Sequence, residues 1–182
     1  MVRSSGSMTA EELLVEQPPH MRSELVDGVM YVREPGAYRH GKVAATVGLL
    51  LHTWVRQQKL GDVVGAETGF TLRRNPDTVR APDAAFISIE RLPPADVRGY
   101  AELAPDLVVE VLSRGDRAGA VRAKIADWLA AGVRLVWIVD PERRRGAVHR
   151  ADGTVRTLGE HDAFEGEAVL PGLTLSLAEL FD

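Results

Sequence analysis

The stretch from 106 to 140 constrains the fold most. DLVVEVLS (106–113) is a near-continuous apolar run, and so is VRLVWIVD (133–140). Between them, AVRAKIADWLAAG (120–132) places Val121, Ile125, Trp128 and Leu129 at helical spacing, and Gly132 supplies a stop. Strands with little polar alternation are covered on both faces. Strand, helix and strand in that order predict a right-handed parallel crossover near the centre of a sheet.

The rest of the chain adds elements of both kinds. Thr9 and Glu12 form a capping-box pattern and predict a short first helix. SELVDGVMYVRE (23–34) has two short apolar runs around Asp27-Gly28, a strong hairpin signal. From His40 to Leu60, Val43, Val47, Leu50, Leu51, Trp54 and Val55 recur at helical spacing, and Gly61 follows as a terminator. GDVVGAETGFTLRR (61–74) reads as two strands or a hairpin, APDAAFISIE (81–90) as a strand, and 146–158 as a polar hairpin. LPGLTLSLAELF (170–181) closes with a short strand and a helical turn. The expected fold is a mixed α/β (α+β) domain, a mixed β-sheet flanked by helices. One domain spans 1–182, with 1–8 a disordered leader.

Composition narrows the functions open to it. No apolar run reaches transmembrane length and no signal-peptide core stands at the N-terminus, so a cytoplasmic protein with no membrane partner is expected. Cysteine is absent, which removes disulfides and thiolate metal sites. The five histidines (20, 40, 52, 149, 161) lack metal-ligand spacing. No GxSxG elbow, GxxxxGK[ST] loop or GxGxxG fingerprint occurs. With 22 basic and 26 acidic residues the net charge is −4, so any nucleic-acid contact must come from a local patch. Arg73 and Arg74 are candidates, and so is Arg143–Arg145, for which a solvated turn is the ordinary alternative.

Glu110 is the anomaly of the central strand, because a glutamate is rarely buried without a partner. Strand alternation points Asp106, Val108, Glu110 and Leu112 to one face. Asp83 stands at the edge of another apolar run one strand upstream. Two acids converging there repel unless a cation sits between them. A hard divalent ion, Mg²⁺ or Mn²⁺, resolves that repulsion, with the Val111 backbone carbonyl as a further oxygen ligand. Lysine occurs only at 42, 59 and 124, and Lys124 lies on the next helix, one residue from its buried stripe. From there its charge could reach back over the strand end, orient water or stabilise phosphate charge. Taken singly, Asp83 has an ordinary reading as a turn residue, Glu110 as the partner of an arginine such as Arg122 or Arg134, and Lys124 as a snorkelling surface lysine.

Asp83, Glu110 and a following lysine together resemble the PD-(D/E)XK nuclease superfamily. SELVDGVMY, the His40-initiated helix, APDAAFIS, PDLVVEVLS, Lys124, AAGVRLVWIVDP and LPGLTLSLAELF run in the order of the Uma-type restriction endonuclease family. The resemblance implies a restriction-endonuclease-like fold, a metal-dependent DNA endonuclease and a homodimer. It implies Asp83 and Glu110 as metal ligands and Lys124 as the catalytic lysine. For Glu24 two readings stay open, a further acid at the metal and a structural salt bridge or exposed strand-end charge. His40 belongs to the resemblance as a residue near the phosphate, with helix-start packing as its ordinary reading. Three positions depart from the pattern. Leu112 stands where the simple motif has its lysine, Ala120 where the family has an aspartate, and Trp128 where it has a tyrosine. Asp116 is the nearest substitute for the missing aspartate, and Trp128 reads as a packing change. The alternative is a catalytically inactive nuclease-fold module that binds nucleic acid or protein.

Overall fold

The computed structural model describes residues 7–18 and 21–182. Residues 1–6 of the expected leader, and His20, lie outside the described residues. Met8 of that leader donates its N–H to the Gly28 carbonyl at 2.9 Å. The first helix, α1 (Ala10–Glu16), carries the predicted capping box, with Thr9 Oγ1 accepting from Glu12 N–H at 3.2 Å. The hairpin is β1 (Arg22–Val26) and β2 (Val29–Arg33), turned through Asp27 and Gly28, both at positive φ. The long helix is α2 (Tyr38–Gln58). Strands β3 (Gly61–Gly65), β4 (Phe70–Arg73), β5 (Thr78–Arg80) and β6 (Ala84–Ser88) follow.

The central unit is β7 (Leu107–Val111), α3 (Ala118–Ala130) and β8 (Leu135–Asp140), and β7 pairs parallel with β8. The chain then forms β9 (Arg145–Arg150), β10 (Val155–Leu158), β11 (Ala163–Glu165), β12 (Thr174–Ser176) and the terminal α4 (Leu177–Phe181).

The strands form three sheets. The main one is six-stranded, in the order β10-β9-β8-β7-β6-β3. A four-stranded sheet runs β2-β1-β5-β4, and β11 pairs with β12 alone. So 61–74 is not a hairpin: β3 pairs with β6 and β4 with β5. All five residues of β7 and all six of β8 are buried, as their apolar runs require. Odd-numbered residues of both strands, including Leu107, Val109, Trp137 and Val139, pack against α2 and α4. Even-numbered Val108, Val136 and Ile138 pack under Ile125 and Trp128 of α3. Glu110 shares that second face, which aims its carboxylate at α3.

Candidate active site

The predicted residues come together from β1 (Glu24), α2 (His40), the position just before β6 (Asp83), β7 (Glu110 and Val111) and α3 (Lys124). The register of β6 and β7 ends at the pair Ala84↔Val109, so one step further places Asp83 opposite Glu110. Beyond Ala84 the edge of β7 has no strand partner, and the Asp83 carboxylate replaces it. Asp83 Oδ2 accepts from the Val111 N–H at 2.8 Å. Asp83 Oδ1 lies 3.2 Å from Arg22 and 3.2 Å from His40 Nε2. The His40 contact is within ion-pair distance but lacks hydrogen-bond alignment. His40 Nδ1 is 3.3 Å from Ser113 Oγ.

Lys124 reaches from α3 to the Glu110 carboxylate. Its Nζ lies 2.9 Å from Glu110 Oε2, 2.8 Å from Glu24 Oε1 and 2.9 Å from the Ala81 carbonyl. It donates hydrogen bonds to Glu110 and Ala81, and Glu24 completes its surroundings as an ion pair. Four residues on, one turn along the same face of α3, the Trp128 indole N–H donates to Glu110 Oε1 at 2.8 Å. Glu110 is thus held at both oxygens by one helix. Glu24 accepts from Arg80 at 2.8 Å and from the Ala81 N–H at 3.0 Å. Arg80 stands opposite Glu24 across the β1–β5 pair, whose recorded register is Leu25↔Val79, and its Nε also binds Asp127 at 2.9 Å.

The electrostatics follow from this packing. Burial raises Glu110, the Lys124 charge pulls it back, and the Asp83 and Glu24 charges push it up, to about 7. Burial would also raise Glu24, but the Lys124 and Arg80 charges outweigh it and bring Glu24 down to about 2. Burial opposes the Lys124 charge, yet Glu110 and Glu24 win, so Lys124 titrates above an ordinary lysine and stays an ammonium. Asp83 is lowered: burial would raise it, and His40 and the Val111 N–H overcome that. His40 is raised by Asp83, against burial, with help from the Val111 carbonyl.

These groups line a cleft of about 630 Å³. Its wall includes Asp83, Glu110, Val111, Lys124, Glu24 and His40, so every acid, lysine and histidine predicted from the sequence converges there. Arg73 and Arg74 do not. Arg73 pairs with Asp27, and Arg74 binds Glu11 at 2.8 Å, Asp77 at 2.7 Å, and Glu102. Neither lines the cleft. The arginines that line it are instead Arg22 and Arg33, both in ion pairs, and Arg114 and Arg117, both exposed, on the loop from β7 to α3. Among the described residues neither of these last two is ion-paired. The sequence signal for them was the SRGDRAG segment that replaces the family's proline–serine–threonine run. Asp116 of that loop binds the Ser113 N–H at 2.8 Å and Arg33 at 3.2 Å, rather than Lys124.

Among the described residues, no three histidine or carboxylate side chains converge to hold a metal by themselves. The oxygen set available is Asp83, Glu110 and the Val111 carbonyl. Its chemistry fits a hard cation that keeps several waters, such as Mg²⁺ or Mn²⁺. The repulsion that Asp83 and Glu24 exert on Glu110 is the strain such a cation would relieve. Among the described residues, no helix is long and apolar enough to cross a membrane.

Comparison with solved structures finds a crystal structure from Anabaena variabilis, described as "a putative nuclease belonging to DUF820". It superposes with a TM-score of 0.84 at 20% identity, over 96% of this chain and 97% of that one. At that identity the likeness shows a shared fold. No curated protein matches the chain. The Uma2 family model, "Putative restriction endonuclease", matches residues 10–178, nearly the whole chain, and the chain therefore belongs to that family.

Proposed function

We propose that this protein hydrolyses phosphodiester bonds of DNA with Mg²⁺ or Mn²⁺, and that it works as a homodimer, as the family resemblance implies. The observation that carries the reading is the Lys124 ammonium lodged between Glu110 and Glu24, at the wall of an open cleft, with Asp83 opposite Glu110. Asp83, Glu110 and the Val111 carbonyl would hold the cation, which supplies Lewis-acid charge at the scissile phosphate.

Lys124 is fixed as a charge, not a base. The Ala81 carbonyl is the one neutral acceptor among its three partners. Turning that N–H to a phosphate oxygen stabilises the charge that develops there while both carboxylate contacts persist. Arg114 and Arg117, at the cleft wall, would meet neighbouring phosphates, and Arg22 donates to Asp83 Oδ1 and orients it. Water attacks phosphorus and loses a proton to solvent, the opposite ester P–O bond breaks, and the leaving sugar oxygen takes up a proton from solvent.

A second reading is a module of the same fold that binds nucleic acid or protein without cutting. It is favoured by Ala120 and by the donors that already occupy Glu24, Asp83 and Glu110. The test is cleavage of plasmid DNA with Mg²⁺, with Mn²⁺ and with chelator. The nuclease reading expects metal-dependent nicking that Asp83→Ala and Glu110→Ala abolish. Absence of nicking by the wild type, or equal nicking by the variants, overturns it.

A further inference from the structure

We infer that Trp128 is a positioning residue of the site: its indole N–H fixes the Glu110 carboxylate in the orientation that a divalent cation requires. The inference rests on the nuclease reading and adds a residue to it. The chain has three tryptophans, all on apolar stripes. Among the described residues, the indole nitrogens of Trp54 and Trp137 are buried without a partner, and Trp137 lies stacked on Phe164 at 4.8 Å. Packing accounts for those two. Trp128 differs, because its N–H is spent on one oxygen of a buried acid.

The geometry makes that bond directive. Glu110 Oε2 is engaged by Lys124 and Oε1 by Trp128, so two donors from one turn of α3 set the carboxylate plane. The indole cannot swing away. It is fully buried and meets Phe70 edge-on, with centroids 6.3 Å apart and planes at 73°. An indole N–H is a donor only, so it favours the ionised, ligating form of Glu110. Each Glu110 oxygen keeps a second lone pair for a cation. Groups of this kind, bound to a ligand and not to the metal, typically contribute 10- to 100-fold in affinity or activity.

The experiment uses the full chain. In ¹H–¹⁵N spectra, MgCl₂ is expected to move the Trp128 indole resonance and leave those of Trp54 and Trp137 in place. Trp128→Phe assigns the peak. Should that chain not fold, Trp54→Phe and Trp137→Phe assign it by elimination. By calorimetry, Trp128→Phe weakens Mn²⁺ binding about 10- to 100-fold and lowers kcat in parallel, with DNA affinity unchanged. Phe70→Leu, which loosens the same ring but keeps the donor, weakens Mn²⁺ binding less than Trp128→Phe does. A wild type that cleaves DNA while the Trp128 indole ignores Mg²⁺, or while Trp128→Phe binds Mn²⁺ normally, overturns this inference alone. A wild type that neither binds the cation nor cleaves overturns it together with the nuclease reading.

Discussion

Lys124→Met removes the charge on which the buried acids depend, and its effect on stability can be worked out from the structure. Nζ is 2.8 Å from Glu24 and 2.9 Å from Glu110. At an effective dielectric near 20, each contact is worth about 6 kcal/mol of gross Coulomb attraction. Desolvation of the ammonium offsets much of that, and deleting one member of a buried ionic group typically costs about 3–5 kcal/mol net. The two acids do not suffer equally. Among the described residues, Glu24 retains Arg80 and the Ala81 N–H, whereas Glu110 retains only the Trp128 indole. The penalty therefore sits on Glu110, and neutralising Glu110 should relieve it.

Urea unfolding in chelator measures this. With a slope of about 2 kcal/mol per molar, the midpoint of Lys124→Met falls by about 2 M. Lys124→Met combined with Glu110→Gln recovers a large part of the loss, giving a coupling of about 2 kcal/mol. A Lys124→Met chain within about 1 kcal/mol of wild type, or a double variant that loses the sum of the two single ones, would refute the ionic account.

Three further outcomes are expected. Asp83→Asn keeps an acceptor for the Val111 N–H but loses the charge that Arg22 and His40 face, so cleavage falls at least about 100-fold, and the melting temperature at pH 7 falls as well because the lost carboxylate is one the fold holds below its ordinary range. Arg114→Ala with Arg117→Ala lowers the slope of log K against log salt for duplex DNA by about 1.8, read by fluorescence anisotropy in chelator, while Arg73→Ala leaves it alone. Asp77 accepts from the Ala10 N–H and Arg74 at 2.9 and 2.7 Å, and although burial alone would raise it, these donors hold it below the ordinary aspartate. A depressed carboxylate stabilises the fold above its unfolded pKa of about 4 and loses that contribution as pH falls through the lower folded value. Asp77→Asn is therefore less stable by about 1–3 kcal/mol at pH 7, and the gap in melting temperature closes below about pH 4; a gap constant to pH 2 contradicts this.

Much of the site was legible because strand alternation is local. The parity of 106–112 put Glu110 on the face that the next helix covers, and Lys124 was the lysine within reach. Three partners were invisible for the opposite reason. Arg80 meets Glu24 through the pairing of β1 with β5, and β5 has only three residues, too few to signal a strand. Asp127 enters only through Arg80. Trp128 was read as packing because an apolar stripe reports which face of a helix is buried, not what an indole nitrogen meets. The ion pairing of Arg73 and Arg74 was not legible, because the two adjoin in sequence while the acids that occupy them come from α1, the β1–β2 turn and the segment before β7. The division into three sheets was not legible either, since short strands carry no record of distant partners.

Single-turnover cleavage of a labelled duplex by the wild type and by Lys124→Met, with DNA affinity measured in parallel, tests the central claim most directly. The account predicts metal-dependent cleavage by the wild type. In the variant it predicts a rate at least about 100-fold lower, with DNA affinity nearly unchanged, because Lys124 acts on charge that develops in the reaction. A wild type that does not cleave with either Mg²⁺ or Mn²⁺, or a Lys124→Met chain that cleaves at the wild-type rate, would contradict it.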